Sequence, residues 1–320
     1  MEKKKILVVE SRDFSPAAIE MLSKMGEVLL EDFDRADLLS AIQDVNVLWI
    51  RLRNQIDKEL ILAAPELQYI VSPTTGLNHI DIKCAREQGV TVLSLRNEIE
   101  FLRSIRASSE HTVALMLALI RNIPAAFSNV LDGHWQRDPY KGSELHEKIV
   151  GLVGYGRIGT LVAKYLHAFG CNILATDPFV QSAPDAPYVQ FVDLDQLLQE
   201  SDIVSLHVSL TEDTNCFFGL NQFSLMKQGS LFINTSRGEL IDEDALLHVL
   251  GSGQLAGAAL DVLCDEHLFE GHLNDLMLYS RQFNNLLITP HIAGCTSESM
   301  EKTEVFMAEK LFRAIGMEGA

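Results

Sequence analysis

Three polar residues in the second half of the chain, Arg237, Glu266 and His291, could together bind a carboxylate and move a proton. An arginine holds a carboxylate through two parallel hydrogen bonds, and its charge polarises a neighbouring carbonyl. A histidine can supply the proton that accompanies a hydride, and a carboxylate beside it favours the charged imidazole. The set predicts reduction of a 2-oxo acid. Each residue alone also fits a structural role, as a surface ion pair, a solvated loop charge or a histidine after a proline turn.

A glycine-rich segment in the middle of the chain has the spacing of a dinucleotide-binding turn. Gly154-Tyr155-Gly156-Arg157-Ile158-Gly159 follows a predicted strand at 149–153 and opens a predicted helix that runs to about residue 170. Asp177 ends the next predicted strand, where an acid can accept hydrogen bonds from ribose hydroxyls. Because a carboxylate repels a 2'-phosphate and no cation follows it, NAD is favoured over NADP. The alternative is that the glycines only make a turn and that Asp177 only caps one.

The elements that must position these residues follow the alternating pattern of parallel α/β sheets. In the first hundred residues, short apolar runs alternate with helical segments such as 16–25, where Ser15 supplies an N-cap. These runs predict strands at 6–9, 28–30, 45–50, 67–71 and 90–95. A long, mostly buried helix is predicted at 98–120, with a break near Ser104, and an irregular connection at 122–147.

A second series of strands follows, and the three polar residues lie at or just past the ends of strands in it. The predicted strands are 149–153, 172–176, 203–208, 231–234, 256–260 and 286–289, and a helix at 297–314 is placed back against the first domain. We predict an α/β protein with two doubly wound parallel-sheet domains and a cleft between them. Residues 1–100 with 293–320 would form a flavodoxin-like substrate domain, and residues 101–292 a Rossmann NAD domain.

Composition narrows the class of protein. The 320 residues include 26 Lys and Arg against 44 Asp and Glu, for a formal net charge of -18, which makes nucleic acid an unlikely general partner. Five cysteines stand singly, without the spacing of a zinc site, and are interpreted as reduced thiols of a cytoplasmic protein. The most apolar helical stretch, 113–120, is much shorter than a membrane span, so no membrane association is expected.

Several motifs closely resemble the D-isomer-specific 2-hydroxyacid dehydrogenases, a family that includes phosphoglycerate dehydrogenase-like and hydroxypyruvate reductase-like enzymes. The most specific are Thr235-Ser236-Arg237-Gly238, Ala259-Leu260-Asp261-Val262 followed by Glu266, and Thr289-Pro290-His291-Ile292-Ala293-Gly294. The segments 75–81, 110–112, 154–159 and 207–211 also resemble the family, so the likeness covers nearly the whole chain.

The resemblance implies roles for individual residues. His291 would be the general acid in reduction, Glu266 its partner, and Arg237 the residue that binds substrate and polarises its carbonyl. The loop Thr75-Gly76-Leu77 would offer backbone N–H groups to the substrate carboxylate. Cofactor contacts would come from Gly154, Tyr155, Gly156, Arg157, Ile158, Gly159, Asp177, Val208, Thr235, Ser236 and Asp261. Glu266 argues against formate dehydrogenase activity, because that branch carries glutamine there.

Some features leave alternatives open. Glu266 is followed by His267 rather than the usual proline, and the extra length around 269–282 would form a lid or an interface. Arg51 and Arg53 would either bind a second anionic group of the substrate, a distal carboxylate or phosphate, or be solvated charges. The buried helix, together with the resemblance, suggests a homodimer, and no metal site is expected. The rival function is an NAD(H)-sensing corepressor with the same fold.

Overall fold

The computed structural model describes residues 3–266 and 272–316. These residues belong to two compact units, Met1–Ile105 with Cys295–Ala320 and Arg106–Gly294. Each unit is built on one sheet in which every pair of neighbouring strands is parallel. The predicted α/β class with two doubly wound parallel sheets is confirmed.

The sheet of the first unit has the strand order β2-β1-β3-β4-β5, the order of flavodoxin-like folds. The interior strand at Lys4–Val9 carries the run Ile6, Leu7, Val8 and Val9, all buried, because helices cover both faces of a parallel sheet. The strands are β1 Lys4–Val9, β2 Gly26–Glu31, β3 Val47–Trp49, β4 Tyr69–Ser72 and β5 Thr91–Ser94.

Helices connect these strands and cover the sheet. They are α1 Pro16–Ser23, α2 Arg35–Ala41, α3 Lys58–Leu62, α4 Ile82–Glu87 and α5 Ile99–Leu102. The Ser15 side chain accepts a hydrogen bond from the Ala18 amide, so the predicted N-cap of α1 is confirmed. The C-terminal helix Ser297–Ala314 belongs to this unit, and its buried residues Met307, Ala308 and Leu311 pack into the core formed with β1.

The sheet of the second unit has the order β12-β11-β10-β9-β6-β7-β8. When the strands are numbered within this unit and read from β8, the order begins 3-2-1-4-5-6, which is the Rossmann order, and β12 is added as a seventh strand. The direction of the strand order reverses between β6 and β9. Its strands are β6 Ile149–Val153, β7 Asn172–Thr176, β8 Val189–Phe191, β9 Ile203–Leu206, β10 Ser230–Asn234, β11 Leu255–Leu260 and β12 Leu286–Ile288. Strand β8 was not predicted, because a three-residue edge strand with half-buried or exposed side chains leaves no apolar run.

The helices of the second unit are α6 Ala107–Ile120, α7 Ile123–Leu131, α8 Arg157–Ala168, α9 Leu194–Glu200, α10 Leu220–Leu225, α11 Glu243–Gly251 and α12 Asp275–Gln282. The gap between α5 and α6 corresponds to the predicted break near Ser104.

The prediction of an irregular connection at 122–147 is wrong for α7. Pro124 lies in its first turn, where proline is tolerated, and Asn122 turns the chain with a φ of 54°.

The segment around 269–282, for which the sequence suggested a lid or an interface, is described only in part. Residues 267–271, which include Phe269, lie outside the described residues, while α12 covers the end of the extra segment and buries Leu276 in the core.

Within the described residues, no single helix is long and apolar enough to span a membrane. One pair of helical segments joined by a bend, Ile99–Ile120 with Ile123–Leu131, has the length and the apolar composition of a membrane span, and only those two properties indicate one.

Candidate active site

The glycine-rich turn after β6 is a cradle shaped by close backbone contacts. Gly154 has a φ of 99°, and a Cβ there would lie 2.5 Å from the carbonyl oxygen of His207, so only glycine fits. A Cβ on Gly159 would lie 2.3 Å from the Gly154 oxygen. Above Gly156, by contrast, no described atom lies within 4 Å of a built Cβ. The turn therefore opens at the N-terminus of α8, where free N–H groups favour an anion such as a pyrophosphate.

Asp177, at the end of β7, lies against this turn. Its carboxylate accepts hydrogen bonds from the amides of Tyr155 at 2.8 Å, Phe179 at 2.8 Å and Val180 at 3.2 Å. These bonds hold the carboxylate in place, and an ionised carboxylate can accept further hydrogen bonds from hydroxyl groups. The arrangement fits the dinucleotide for which the sequence motif is typical.

His207 lies next to the same turn, and both of its ring nitrogens are buried. Burial lowers the pKa of His207 to about 4, so its ring is neutral at physiological pH. Among the described residues neither ring nitrogen has a hydrogen-bond partner. The backbone of His207 donates to Val153 at 2.7 Å and so ties the ends of β9 and β6 together. In the sequence, His207 stands out only as part of the segment 207–211 that resembles the family.

Arg237 is carried by a turn that a buried asparagine fixes. Asn234, fully buried at the end of β10, donates to the Arg237 carbonyl at 2.8 Å and accepts from the Ser236 amide at 3.0 Å. On the far side, a Cβ on Gly238 would lie 2.0 Å from the carbonyl carbon of Leu263. The turn is therefore held from both sides, and the role of Asn234 was not predicted from the sequence.

The electrostatic surroundings link Arg237 to Glu266. Burial lowers the pKa of the Arg237 guanidinium, and the negative charges of Glu266 and Glu239 act in the opposite direction. An arginine stays charged under such conditions. One of its terminal nitrogens donates to the Ser236 carbonyl at 2.6 Å, which orients the group. Arg237 is thus a mostly buried cation close to a carboxylate.

His291 and Glu266, which the resemblance implied to be partners, are in contact. Nδ1 of His291 contacts Oε1 of Glu266, and the two side chains are 21% and 37% exposed, so a ligand can reach them. His291 has a φ of 53°, a left-handed conformation that is strained for this residue. With Nδ1 directed at Glu266, Nε2 is the nitrogen through which His291 can exchange a proton with a ligand.

Asp261, fully buried after β11, braces the turn that carries His291. Its carboxylate accepts from the amides of Ile292 at 2.9 Å and Ala293 at 2.7 Å and from the Thr289 hydroxyl at 2.5 Å. Burial opposes ionisation, but hydrogen bonds from His111, Thr289 and the two amides outweigh it and lower the pKa of Asp261. The structure shows a charged brace where the resemblance implied a cofactor contact, and the two roles are compatible because carboxylate oxygens accept several bonds.

His111, on α6, joins this network from a distant part of the sequence. Its Nε2 lies 3.1 Å from the Thr289 hydroxyl and 3.3 Å from Asp261. On the same helix, the Thr112 hydroxyl lies 2.8 Å from that of Thr235, in the turn before Arg237. Helix α6 thus contacts both turns that carry predicted catalytic residues. The motif Glu110-His111-Thr112 was the only sequence signal for this role.

In the first unit, the predicted substrate loop follows β4. Thr75 is exposed, Gly76 and Leu77 are half-buried, and the Thr74 hydroxyl donates to the Gly76 carbonyl at 2.8 Å. The two other predicted substrate residues are paired with acids: Arg51 contacts Glu304 at 2.6 Å, and Arg53 contacts Asp32 at 3.1 Å. Within 3–266 and 272–316, no group of His, Cys, Asp and Glu side chains could hold a metal ion.

A family model and individual known proteins both relate this chain to 2-hydroxyacid dehydrogenases. Residues 113–293 match the family model described as D-isomer specific 2-hydroxyacid dehydrogenase, NAD binding domain. The chain is 34% identical to a hydroxypyruvate reductase of Thermotoga maritima over 317 residues, which is 99% of this chain and 100% of that protein. It is 32% identical to a D-3-phosphoglycerate dehydrogenase of Synechocystis sp. over 309 residues, which is 96% of this chain and 53% of that protein. The chain therefore spans about half the length of that second relative.

One solved structure is similar over nearly the whole length of the chain. The crystal structure of D-lactate dehydrogenase from Aquifex aeolicus, complexed with NAD and lactic acid, matches with a TM-score of 0.83 and 28% identity. The match covers 98% of this chain and 96% of that one. The likeness thus extends through both units.

Proposed function

The chain belongs to the D-isomer-specific 2-hydroxyacid dehydrogenases, and from this membership we propose that it interconverts a 2-oxo acid and a D-2-hydroxy acid. NAD is the cofactor. The observation that carries the proposal is the pairing of His291 with Glu266 close to the buried cation Arg237. This set combines a proton donor, its orienting carboxylate and a carboxylate clamp, which are the groups that the reaction requires.

Arg237 binds the substrate and prepares its carbonyl for attack. Its guanidinium is mostly buried, so little water competes with a ligand carboxylate for its donors. The same charge withdraws electron density from the neighbouring carbonyl oxygen. We assign binding of the substrate carboxylate also to the backbone of Thr75, Gly76 and Leu77 in the first unit.

His291 supplies the proton in the direction of reduction. As hydride reaches the 2-carbon, negative charge develops on the carbonyl oxygen, and Nε2 of a charged His291 donates its proton there. Glu266, at Nδ1, stabilises the charged ring and holds its plane. Asp261 fixes the backbone on which the ring is mounted, through the amides of Ile292 and Ala293.

The cofactor fits the residues around the glycine-rich turn. The open face above Gly156 would hold the pyrophosphate, and Asp177 would accept hydrogen bonds from the adenosine ribose. Further contacts are assigned to Tyr155, Arg157, Ile158, Val208, Thr235, Ser236 and Asp261. When bound, NADH supplies the hydride from C4 of its nicotinamide ring.

The proposal is tested by the loss of NADH absorbance when purified protein is mixed with a panel of 2-oxo acids. The panel contains hydroxypyruvate, glyoxylate, pyruvate and 2-oxoglutarate, which differ in the group attached to the carbonyl carbon. We expect turnover with at least one acid and formation of its D-hydroxy acid, which a chiral separation identifies. Tight NADH binding without reduction of any acid would contradict the proposal and favour a sensor function instead.

Asp177 is expected to select NADH over NADPH. Its replacement by alanine removes the acceptor for the ribose hydroxyls and the negative charge that repels a 2'-phosphate. We expect Asp177→Ala to weaken NADH binding by about tenfold, because hydrogen bonds to a charged group contribute about 1.5–3 kcal/mol, and to narrow the preference for NADH. Titration of protein fluorescence with NADH and with NADPH measures the two dissociation constants. Asp193→Ala, at the N-cap of α9, is the matched control, and an unchanged preference in Asp177→Ala would contradict the assignment.

We also propose that the protein forms a homodimer through the second unit. Helix α7 has no buried residue, and Ile123, Phe127, Val130 and Leu131 are between 47% and 69% exposed. A contiguous apolar helix face of this kind marks an interaction surface. A second copy of the chain is the occupant, since a two-fold axis brings the same face to itself.

Light scattering after size-exclusion chromatography tests the dimer. We expect the wild type to elute as a dimer and the double variant Phe127→Glu, Leu131→Glu as a monomer, because charges would have to be buried in the interface. Leu62→Glu is the control, since Leu62 is 52% exposed on α3 of the first unit. A monomeric wild type, or a double variant that stays dimeric, would contradict the proposal.

A further inference from the structure

The loop that follows β3 offers several donors at the carboxyl edge of the first unit's sheet. Residues 51–54 provide two arginine side chains and three consecutive backbone N–H groups that point at one oxygen pair. Ligands of open α/β sheets bind at this edge, and guanidinium groups and consecutive N–H groups are what a phosphate or a carboxylate requires. These are therefore the donors that we assign to a second anionic group of a substrate bound at this edge.

The backbone N–H groups are already occupied by Glu10, which follows β1. Its carboxylate accepts from the amides of Leu52 at 3.1 Å, Arg53 at 3.2 Å and Asn54 at 3.1 Å, and from the Asn54 side chain at 3.0 Å. Glu10 is only 9% exposed and has a φ of 63°, so its position is fixed by the fold. The concavity that could hold an external anion therefore holds an internal one.

Arg51 is committed to a second carboxylate. It contacts Glu304 of the C-terminal helix at 2.6 Å and donates to the Arg12 carbonyl at 3.0 Å. The two side chains are 19% and 1% exposed, and the other carboxylate oxygen of Glu304 accepts from the Ser15 amide at 2.7 Å. Because separation of this pair would leave Glu304 buried and unpaired, Arg51 is not released to a ligand.

Arg53 is paired with Asp32, which follows β2, at 3.1 Å. Both side chains are about half exposed, so the pair itself is weak. The net charge of the surroundings matters more, because three carboxylates contact residues 51–54, which carry only two guanidinium groups: Glu10 binds the backbone amides, Asp32 binds Arg53 and Glu304 binds Arg51. The whole chain also carries a formal charge of -18. A dianion that approached Arg53 would meet Asp32 beside it and would gain little from the loop.

We propose that the substrate has a short, uncharged tail, so that the enzyme prefers 2-oxo acids such as hydroxypyruvate to their phosphate esters and to 2-oxo dicarboxylates. This inference rests on the proposed function and narrows its substrate class. It separates this chain from its relatives that act on a phosphorylated substrate, although both groups share the reaction.

Two substrates that differ only in the phosphoryl group test the preference directly. We expect kcat/KM with NADH to be at least about tenfold higher for hydroxypyruvate than for 3-phosphohydroxypyruvate, the discrimination that about 1.4 kcal/mol provides. 2-Oxoglutarate is expected to be a poor substrate for the same reason. Equal or faster reduction of the phosphate ester would overturn the inference and leave the proposed function intact. Absence of turnover with every acid would overturn the proposed function, and the inference with it.

Variants of the paired acids show whether the internal carboxylates cause the preference. Asp32→Asn frees Arg53 and removes a repelling charge, so we expect the ratio of kcat/KM for the phosphate ester over hydroxypyruvate to rise by about three- to tenfold, as for removal of one nearby charge. Asp44→Asn is the matched control, because Asp44 is an exposed carboxylate paired with Lys5 at the other edge of the sheet.

Glu304→Gln is the second variant and should shift the ratio in the same direction, since Arg51 loses its counter-charge. Thermal unfolding of this variant shows whether it is folded under the assay conditions. A ratio that stays at the wild-type value in Asp32→Asn, or that moves equally in Asp44→Asn, would overturn the inference without reference to Glu304.

Discussion

Replacement of His291 by asparagine is expected to lower kcat by about 10²- to 10⁴-fold, the usual contribution of a positioned general acid. Nε2 of His291 is the group left to exchange a proton with a ligand, because Nδ1 contacts Glu266. Asparagine tolerates the left-handed backbone, φ 53°, at this position, so the turn is retained. Stopped-flow measurement of NADH oxidation under single-turnover conditions reports the chemical step.

Binding of NADH separates a catalytic role of His291 from a structural one. We expect the dissociation constant for NADH to remain at the wild-type value in His291→Asn, since the glycine-rich turn and Asp177 are unchanged. His248→Asn is the matched control, because His248 is exposed on α11. Near-normal kcat in His291→Asn would show that another group donates the proton and that the assignment is wrong.

Replacement of Arg237 by glutamine is expected to reduce kcat/KM for the 2-oxo acid by roughly 30- to 4,000-fold. Truncation of one member of a desolvated charge pair costs about 2–5 kcal/mol, which corresponds to that range. Both binding and polarisation of the substrate depend on this guanidinium, so KM should rise and kcat should fall. Steady-state kinetics with the best acid of the panel measure both constants.

Arg237→Lys distinguishes charge from geometry at the same position. Lysine keeps a positive charge but lacks the planar pair of donors, so we expect an intermediate loss, with kcat less affected than in Arg237→Gln. Arg103→Gln, at an exposed pair with Glu100, is the control that should retain wild-type kinetics. Equal KM values in the wild type and Arg237→Gln would exclude Arg237 from substrate binding.

Much of the fold was predictable because most of its interior strands are buried on both faces. The strands Ile149–Val153 and Asn172–Thr176 and the helix Ser297–Ala314 have the predicted bounds. Continuous apolar runs and a regular helical period leave little choice of structure. The edge strand β8 and helix α7 were not predicted, because neither buries enough apolar surface to leave a clear pattern.

The supports of the site could not be predicted in the same way. Asp261 and Thr289 are 28 positions apart, and His111 and Thr289 are 178 apart. Strand order brings them together, since β11 and β12 are neighbours and α6 packs against β11. Nothing local in the sequence distinguishes a carboxylate that braces a turn from one that meets a ligand.

The sequence by itself determined the class of fold, the nucleotide-binding turn and the residue types that carry the chemistry, because each is encoded within a few neighbouring positions. Only the tertiary structure decided which charges are paired within the protein. Arg51 and Arg53 look alike in the sequence, as two cations at the end of a strand. The order β2-β1-β3 places Glu10 and Asp32 beside them, and the C-terminal helix adds Glu304. Side chains separated by up to 253 positions thus decide the charge of the loop, since electrostatic interactions depend on distance in space.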